Sequence, residues 1–313
     1  MRFRFFLWIP RSRKIAEISP KSPVAYEAAP AKTPFLQAWG LRTGGRCDTM
    51  GGKESKQNEE EGESVIHSVL LLGQSNMAGR GYPKDVEPIR NDGIFVSRNG
   101  IFRPMYVPVN PDRKTSGICL AESFADAYTG EKGVPLGLIP CADGGSSLDQ
   151  WMPGEILFDH AVFQARLAQR TSRIVGVLWH QGESDCFEET YPFYEEKLGV
   201  ILGAFREKLN LEKVPFLLGG LGDYLENCEK YPECKNFFHI NAALERFAEK
   251  NPMTGFVSAR GLASNPDRLH FSAAALREFG VRYYQAFLKL EVPFSTREGS
   301  DGVPAPRKEI ELL

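Results

Sequence analysis

The sequence predicts an α/β domain with a mostly parallel, five-stranded sheet and helices on both faces of that sheet. Two observations support this prediction. Short apolar or β-branched runs alternate with longer amphipathic stretches from residue 65 onward, and strands that alternate with helices are typical of a parallel sheet. Segments rich in glycine and polar residues follow several of these runs, and parallel sheets carry their sites at the carboxyl ends of the strands.

The first strand is the clearest of the predicted elements. Residues 65–72 (VIHSVLLL) are apolar and β-branched and are followed by Gly73, as expected for a buried strand. Further strands are predicted at 134–141, 174–179, 214–218 and 255–258. Apolar residues at helical spacing predict helices at 118–128, 157–170, 190–209, 238–250 and 273–290.

All of these elements fall in one predicted domain, residues 65–291. The chain has 313 residues, and its 42% apolar and 25% charged content is that of an ordinary globular protein with a sizeable core. Residues 1–64 are predicted to form a disordered tail, because the stretch GGKESKQNEEEGES has nothing to bury. Met50 is an alternative translation start, and a targeting segment is a weaker alternative. Residues 292–313 are predicted to form a C-terminal tail.

The charge and cysteine content exclude several classes of function. A formal net charge of −2 disfavours nucleic acid and anionic membranes as partners, and no apolar run approaches the roughly 20 residues that span a bilayer. The six cysteines form no CxxC pair, which gives little support to thiol-redox or zinc-ribbon functions. Free thiols in the cytoplasm are expected, with a Cys228–Cys234 disulfide as the alternative in an oxidising compartment.

Ser75 is the candidate nucleophile. It follows the first strand in GQSNMAGRG, where nearby glycines permit a tight turn. A serine hydroxyl needs a base to become nucleophilic, and His270 in DRLHF is the candidate, with Asp267 placed to fix its tautomer. Each motif alone has a structural alternative: a helix-capping serine, and a histidine packed beside a capping aspartate.

Two further loops follow predicted strands. Gly144 and Gly145 in ADGGSSLDQW can present backbone N–H groups to a developing oxyanion; a phosphate-binding loop is disfavoured because it lacks the P-loop lysine. In HQGESD, Gln181 is a candidate oxyanion donor and Glu183 a second carboxylate near His270. This loop also suggests a metal ion, but no second cluster supplies the remaining ligands. The structural alternative for HQGESD is a polar strand end whose side chains cap the following helix.

Together these four blocks resemble those of the SGNH hydrolases. The order GQSNMAGRG, GGSSLDQW, HQGESD and DRLHF is most similar to the sialate O-acetylesterase-like and carbohydrate esterase family six branch, over roughly residues 65–290. The resemblance implies a three-layer α/β/α sandwich. It also implies Ser75 as nucleophile, His270 as base, and either Asp267 or Glu183 as the acid that orients the base.

The resemblance further implies an oxyanion hole made by Ser75, Gly145 (or Gly144) and Gln181. Four residues beside the site are expected to contact substrate: Gln74, Asn76, Gly144 and Trp151. Trp151 is included because an exposed indole can stack on a sugar face.

The predicted function is hydrolysis of O-acetyl esters of a carbohydrate through an acetyl-enzyme, with no cofactor and no metal. Two alternatives remain open. One is an esterase of the same fold that acts on lipid or aryl esters, and the other is a non-catalytic carbohydrate-binding protein. The sequence leaves open the identity of the sugar and the oligomeric state.

Overall fold

A computed structural model describes residues 66–290 of the chain. The predicted tails, 1–64 and 292–313, lie outside the described residues. Within the described part, the structure contains one mixed sheet of seven strands. The prediction of a mostly parallel α/β sheet is confirmed, but the prediction of five strands is wrong. None of the described helices has the length and apolar character needed to cross a membrane.

The sheet order is β3-β2-β4-β1-β5-β6-β7. All neighbouring strands are parallel except β3, which pairs antiparallel with β2. The strands are β1 Ile66–Gly73, β2 Ile94–Arg98, β3 Ile101–Pro104, β4 Leu136–Pro140, β5 Ser172–His180, β6 Phe216–Gly219 and β7 Thr254–Val257. The two strands missing from the prediction are therefore β2 and β3, a hairpin at one edge of the sheet.

The described residues also form six α-helices. They are α1 Ser75–Ala78, α2 Leu120–Lys132, α3 Ile156–Ala168, α4 Tyr194–Leu209, α5 Phe237–Lys250 and α6 Ala273–Leu290. The helix predicted at 190–209 begins as a single 3-10 turn, Tyr191–Phe193, before α4. The predicted helices at 157–170, 238–250 and 273–290 are confirmed as α3, α5 and α6.

The central strand β1 separates two hydrophobic cores. Val69 and Leu71 point into one core, which contains buried residues of α2 and α6. Leu70 and Leu72 point into the other, which contains buried residues of α3, α4 and α5. Successive side chains of a strand point to opposite faces, so this continuous apolar run is buried on both sides. The result is the three-layer α/β/α arrangement.

The helices α2 and α6 pack closely at a glycine. A Cβ atom at Gly280 of α6 would lie 2.1 Å from the carbonyl oxygen of Leu120 and 2.2 Å from Oγ of Ser123, both in α2. The backbones therefore approach to a distance that only glycine permits. This contact holds α6, which begins two residues after Phe271, against the core on that side of the sheet.

Candidate active site

Ser75 lies in a tight turn at the carboxyl end of β1. The strand ends at Gly73, whose φ of 128° is in the region that favours glycine. A Cβ atom at Gly73 would lie 2.0 Å from the carbonyl oxygen of His180, so glycine allows β1 and β5 to approach this closely. Ser75 then opens α1 and is 7% exposed. As the first residue of that helix, it has an N–H without a partner inside the helix.

His270 contacts both Ser75 and Asp267. Its Nε2 lies 3.1 Å from Oγ of Ser75, and its Nδ1 lies 2.7 Å from Oδ2 of Asp267. An ionised carboxylate can only accept a hydrogen bond, so Nδ1 carries the proton and the lone pair of Nε2 faces the serine. The Ser75 hydroxyl therefore has a base within hydrogen-bond reach.

Three hydrogen bonds fix the carboxylate of Asp267. Besides His270 Nδ1, the backbone N–H groups of Leu269 and His270 donate to Oδ1, each at 3.0 Å. Burial alone would raise the pKa of the Asp267 carboxyl, but these hydrogen bonds outweigh it and lower the pKa to about 2. Of the two carboxylates that the sequence left open, Asp267 is thus the one in contact with His270.

The loop after β4 brings two glycines beside Ser75. A Cβ atom at Gly144 would lie 3.6 Å from Cβ of Ser75. The N–H of Gly144 donates to Oδ2 of Asp112 at 2.8 Å, so it is not free for a substrate. Gly145 is exposed, has a φ of 80°, and its N–H makes no hydrogen bond within residues 66–290. Gly145 is therefore the glycine of this pair that presents an N–H group.

A buried ion pair between Arg80 and Asp112 fixes this loop. The guanidinium binds the carboxylate through two hydrogen bonds of 3.0 and 2.7 Å, and the two side chains are only 7% and 4% exposed. Burial alone would raise the pKa of Asp112, but hydrogen bonds from Arg80, Ser116 and Gly144 lower it overall. An ionised Asp112 therefore holds the Gly144 N–H in place.

The amide of Gln181 joins three loops instead of facing an oxyanion. Its Nε2 lies 2.5 Å from Oδ2 of Asp185, 3.0 Å from the carbonyl oxygen of Ser146 and 3.3 Å from Oε1 of Gln74. The side chain is fully buried. Because two hydrogens face three acceptors, no N–H of this amide is left for a substrate. This geometry corrects the expectation that Gln181 is an oxyanion donor.

Glu183 contacts Asn76 and not His270. Nδ2 of Asn76 donates to Oε1 of Glu183 at 2.5 Å, and Glu183 is 5% exposed. His180 Nδ1 lies 4.0 Å from the same oxygen. Burial lowers the pKa of His180 despite this carboxylate, which keeps its imidazole neutral. Among the described residues, no group of three or more His, Cys, Asp or Glu side chains is arranged to hold a metal ion.

Similarity to known proteins shows the family of the chain. A family model described as carbohydrate esterase, sialic acid-specific acetylesterase, matches residues 65–289. The chain belongs to this family. The predicted resemblance to sialate O-acetylesterase-like proteins is thereby confirmed, and the protein is a carboxylic ester hydrolase that acts on acetylated carbohydrates.

Individual relatives of this carbohydrate esterase are distant in sequence. A probable carbohydrate esterase of Arabidopsis thaliana is 25% identical over 244 residues, which cover 70% of this chain and 89% of that protein. A solved structure of an Arabidopsis thaliana protein superimposes with a TM-score of 0.64 at 24% identity, covering 72% of this chain and 98% of that one. A carbohydrate acetylesterase from Xanthomonas citri gives 0.53 at 18% identity, with 72% and 56% covered. The two structural likenesses show the fold.

Three of the four residues that we expected to contact substrate are buried in the esterase. Trp151 is fully buried, packs edge-on against Trp179 with ring centroids 5.6 Å apart, and donates from Nε1 to Oγ of Ser146. Its indole is therefore unable to stack on a sugar, and that expectation is wrong. Gln74 is 3% exposed and Asn76 is fully buried. Both amides bind neighbouring loops: Oε1 of Gln74 accepts from two backbone N–H groups of the loop after β5.

Sequence reasoning missed Arg80 and Asp112. Arg80 lies inside the block GQSNMAGRG, and its position there was the available signal. Asp112 lies in the segment between β3 and α2 that carries no periodic pattern, and only the fold brings it to Gly144.

The described cysteines of the esterase are free and buried: Cys119, Cys141, Cys186, Cys228 and Cys234. Cys228 and Cys234 therefore do not form the disulfide that was considered as an alternative. Burial raises the pKa of the Cys141 thiol to about 12, which keeps it protonated and unreactive.

Proposed function

We propose that this esterase removes O-acetyl groups from a carbohydrate by a two-step acyl transfer with Ser75 as nucleophile. One observation carries the proposal: His270 lies 3.1 Å from Ser75 Oγ through one ring nitrogen and 2.7 Å from Asp267 through the other. This is the geometry of a nucleophile, a base and an orienting carboxylate.

In the first step, Nε2 of His270 takes the proton of Ser75 while Oγ attacks the acetyl carbonyl carbon. The negative charge that develops on the carbonyl oxygen is held by the N–H groups of Ser75 and Gly145, which have no other acceptor among the described residues. The C–O bond to the sugar then breaks, and His270 gives its proton to the leaving sugar oxygen, which becomes a hydroxyl.

In the second step, water replaces the sugar. His270 takes a proton from the water as the water oxygen attacks the acetyl-serine carbon. The same N–H groups hold the oxyanion. Collapse breaks the bond to Ser75 Oγ, which recovers the proton from His270, and acetate leaves. Asp267 stays ionised throughout because its pKa is lowered to about 2, so it stabilises the imidazolium in both steps.

Acetate release tests the proposal. We expect release from acetylated xylo-oligosaccharides, O-acetylated sialic acid or p-nitrophenyl acetate by the wild type, and its loss in Ser75→Ala. Ser172→Ala is the matched control, since Ser172 is also buried but lies at the amino end of β5, away from the carboxyl ends of the strands where Ser75 lies. Release that survives in Ser75→Ala would remove Ser75 as nucleophile, and the ranking of the substrates would identify the sugar class.

We also propose a cytoplasmic location, supported by the free, buried thiols. Fractionation of cells that make the native protein tests this proposal. Recovery of the protein in a secreted or organellar fraction would contradict it.

A further inference from the structure

A single buried amide holds the backbone on both sides of His270. Oδ1 of Asn76 accepts from the N–H of Phe271 at 3.1 Å, and Nδ2 of Asn76 donates to the carbonyl oxygen of Leu269 at 3.3 Å. Asn76 is fully buried and follows Ser75 directly in the chain. The residue bonded covalently to Ser75 therefore also brackets His270.

Glu183 determines which way this amide faces. Rotating an asparagine amide by half a turn exchanges its oxygen with its nitrogen. The oxygen Oε1 of Glu183 lies 2.5 Å from Nδ2 of Asn76, and a carboxylate at that place requires a donor. The nitrogen of Asn76 therefore faces Glu183, which leaves the oxygen to accept from Phe271. Because Glu183 is only 5% exposed, water competes little for this contact.

The hydrogen bonds of the His270 turn differ in how near to the nucleophile they reach. Asn265 also links the turn to the segment after Ser75, because its N–H donates to the carbonyl oxygen of His270 at 2.7 Å and its Nδ2 donates to that of Arg80 at 2.9 Å, but Arg80 lies five residues beyond Ser75, whereas Asn76 is next to it. Within residues 66–290, Asp267 hydrogen-bonds to His270 and Leu269 alone, both in its own turn. It orients the imidazole ring, but it makes no contact with the segment that carries Ser75. The Asn76 side chain spans the two segments. A displacement of about 1 Å between reacting groups can cost on the order of 10²-fold in rate.

We propose that Asn76 and Glu183 are positioning residues of the esterase. Glu183 orients the amide of Asn76, and Asn76 holds His270 at hydrogen-bond distance from Ser75. This inference rests on the proposed function of Ser75 and His270. It assigns Glu183 a role that acts through Asn76, and that role requires a hydrogen-bond acceptor and not a negative charge.

Four variants test the inference through kcat and KM on p-nitrophenyl acetate. Asn76→Ala and Glu183→Ala should each lower kcat by about 10–10²-fold with KM changed little. Glu183→Gln should recover most of the activity that Glu183→Ala loses, because its amide oxygen still accepts from Asn76. Asn241→Ala is the matched control: the Asn241 amide also holds a loop backbone, accepting from the N–H of Leu221 at 2.6 Å and donating to its carbonyl oxygen at 3.0 Å, but it contacts neither Ser75 nor His270. It should keep the kcat of the wild type.

Hydrogen exchange gives a readout that does not depend on turnover. The amide of Phe271 should exchange faster in Asn76→Ala and in Glu183→Ala, and should keep its protection in Glu183→Gln and in Asn241→Ala. The double variant Asn76→Ala/Glu183→Ala should lose about as much activity as Asn76→Ala alone, because the two residues act through one contact.

Two results would overturn the inference. One is a folded Asn76→Ala variant with the kcat and the Phe271 protection of the wild type. The other is a Glu183→Gln variant as impaired as Glu183→Ala, which would mean that the charge of Glu183 is needed. Should Asn76→Ala fail to fold, the comparison of the two Glu183 variants still decides. If Ser75→Ala retains acetate release, the proposed function itself fails, whereas loss there with an active Asn76→Ala overturns only the positioning role.

Discussion

Replacing Asp267 by Asn separates the orientation of His270 from the folding of its loop. The asparagine oxygen can keep the two backbone hydrogen bonds that Oδ1 accepts, each at 3.0 Å. Its nitrogen then occupies the place of Oδ2, 2.7 Å from His270 Nδ1. Because an amide nitrogen only donates, Nδ1 must give up its proton, and the proton moves to Nε2. The imidazole would then donate to Ser75 and could not act as its base.

The size of the expected loss in kcat follows from this change of the His270 tautomer. An imidazole held in the wrong tautomer lowers kcat by about 10⁴-fold, which corresponds to about 5 kcal/mol of transition-state free energy. Hydrolysis of p-nitrophenyl acetate measures the loss, and circular dichroism checks the fold. Asp223→Asn is the control, since Asp223 also accepts from a loop N–H, that of Gly261 at 3.2 Å, but is not in contact with His270. We expect Asp223→Asn to behave as the wild type.

The lowered pKa of Asp267 determines how its contribution to stability changes with pH. The pKa of Asp267 is lowered to about 2 from an ordinary value of about 3.9. Its contribution to stability is therefore present above about pH 4 and is lost as the pH falls toward about 2. A loss of wild-type activity between about pH 4 and 8 must then come from a group other than Asp267.

A kcat for Asp267→Asn within tenfold of the wild type would refute the assignment of Asp267 as the orienting carboxylate.

Three further substitutions test the packing around the site and in the helices. Gly144→Ala should lower kcat by about 10²–10³-fold, because the added Cβ would lie 2.5 Å from Nη2 of Arg80 and would displace the neighbouring N–H of Gly145. This is the loss expected when an oxyanion donor is displaced, and wild-type kinetics would contradict it. Gly280→Ala should destabilise the fold by about 1–3 kcal/mol in urea unfolding, because its Cβ would overlap the carbonyl oxygen of Leu120. Gly203 is exposed in α4 with open space where a Cβ would lie, so Gly203→Ala should instead raise the free energy of unfolding by up to about 1 kcal/mol. Changes of the same sign in Gly280→Ala and Gly203→Ala would contradict the packing argument.

The sequence predicted five of the six parallel strands, because each of these five was either strongly apolar or followed by a distinctive loop. The hairpin β2–β3 was missed although it carries a local signal. Asn99 and Gly100 form its two-residue turn, with φ of 52° and 75°, and Asn-Gly between short β-branched runs is a strong hairpin pattern. The strand β3 has only four residues, most of them exposed, so hydrophobic periodicity alone did not reveal it.

The side chains that meet at Ser75 were predictable only in part. Asp267 and His270 are three residues apart in one motif, so their contact is local. The partners of Gln181 and Glu183 depend on which loops the fold brings together, and a polar-rich motif does not contain that information. Trp151 was assigned to a sugar contact because it lies beside a polar loop, but the packing of α3 and α4 on the same face buries it. The contacts and the burial of these three side chains therefore depend on tertiary packing.

Detection of an acetyl-enzyme tests the account most directly. The wild type is mixed with p-nitrophenyl acetate, quenched in acid within the first turnovers, digested and analysed by peptide mass spectrometry. We predict one acetyl group on the peptide that contains Ser75, attached at Ser75 itself, and none on that peptide in Ser75→Ala. An acetyl group found on a different residue, or turnover in Ser75→Ala equal to that of the wild type, would contradict the assignment of Ser75 as the nucleophile.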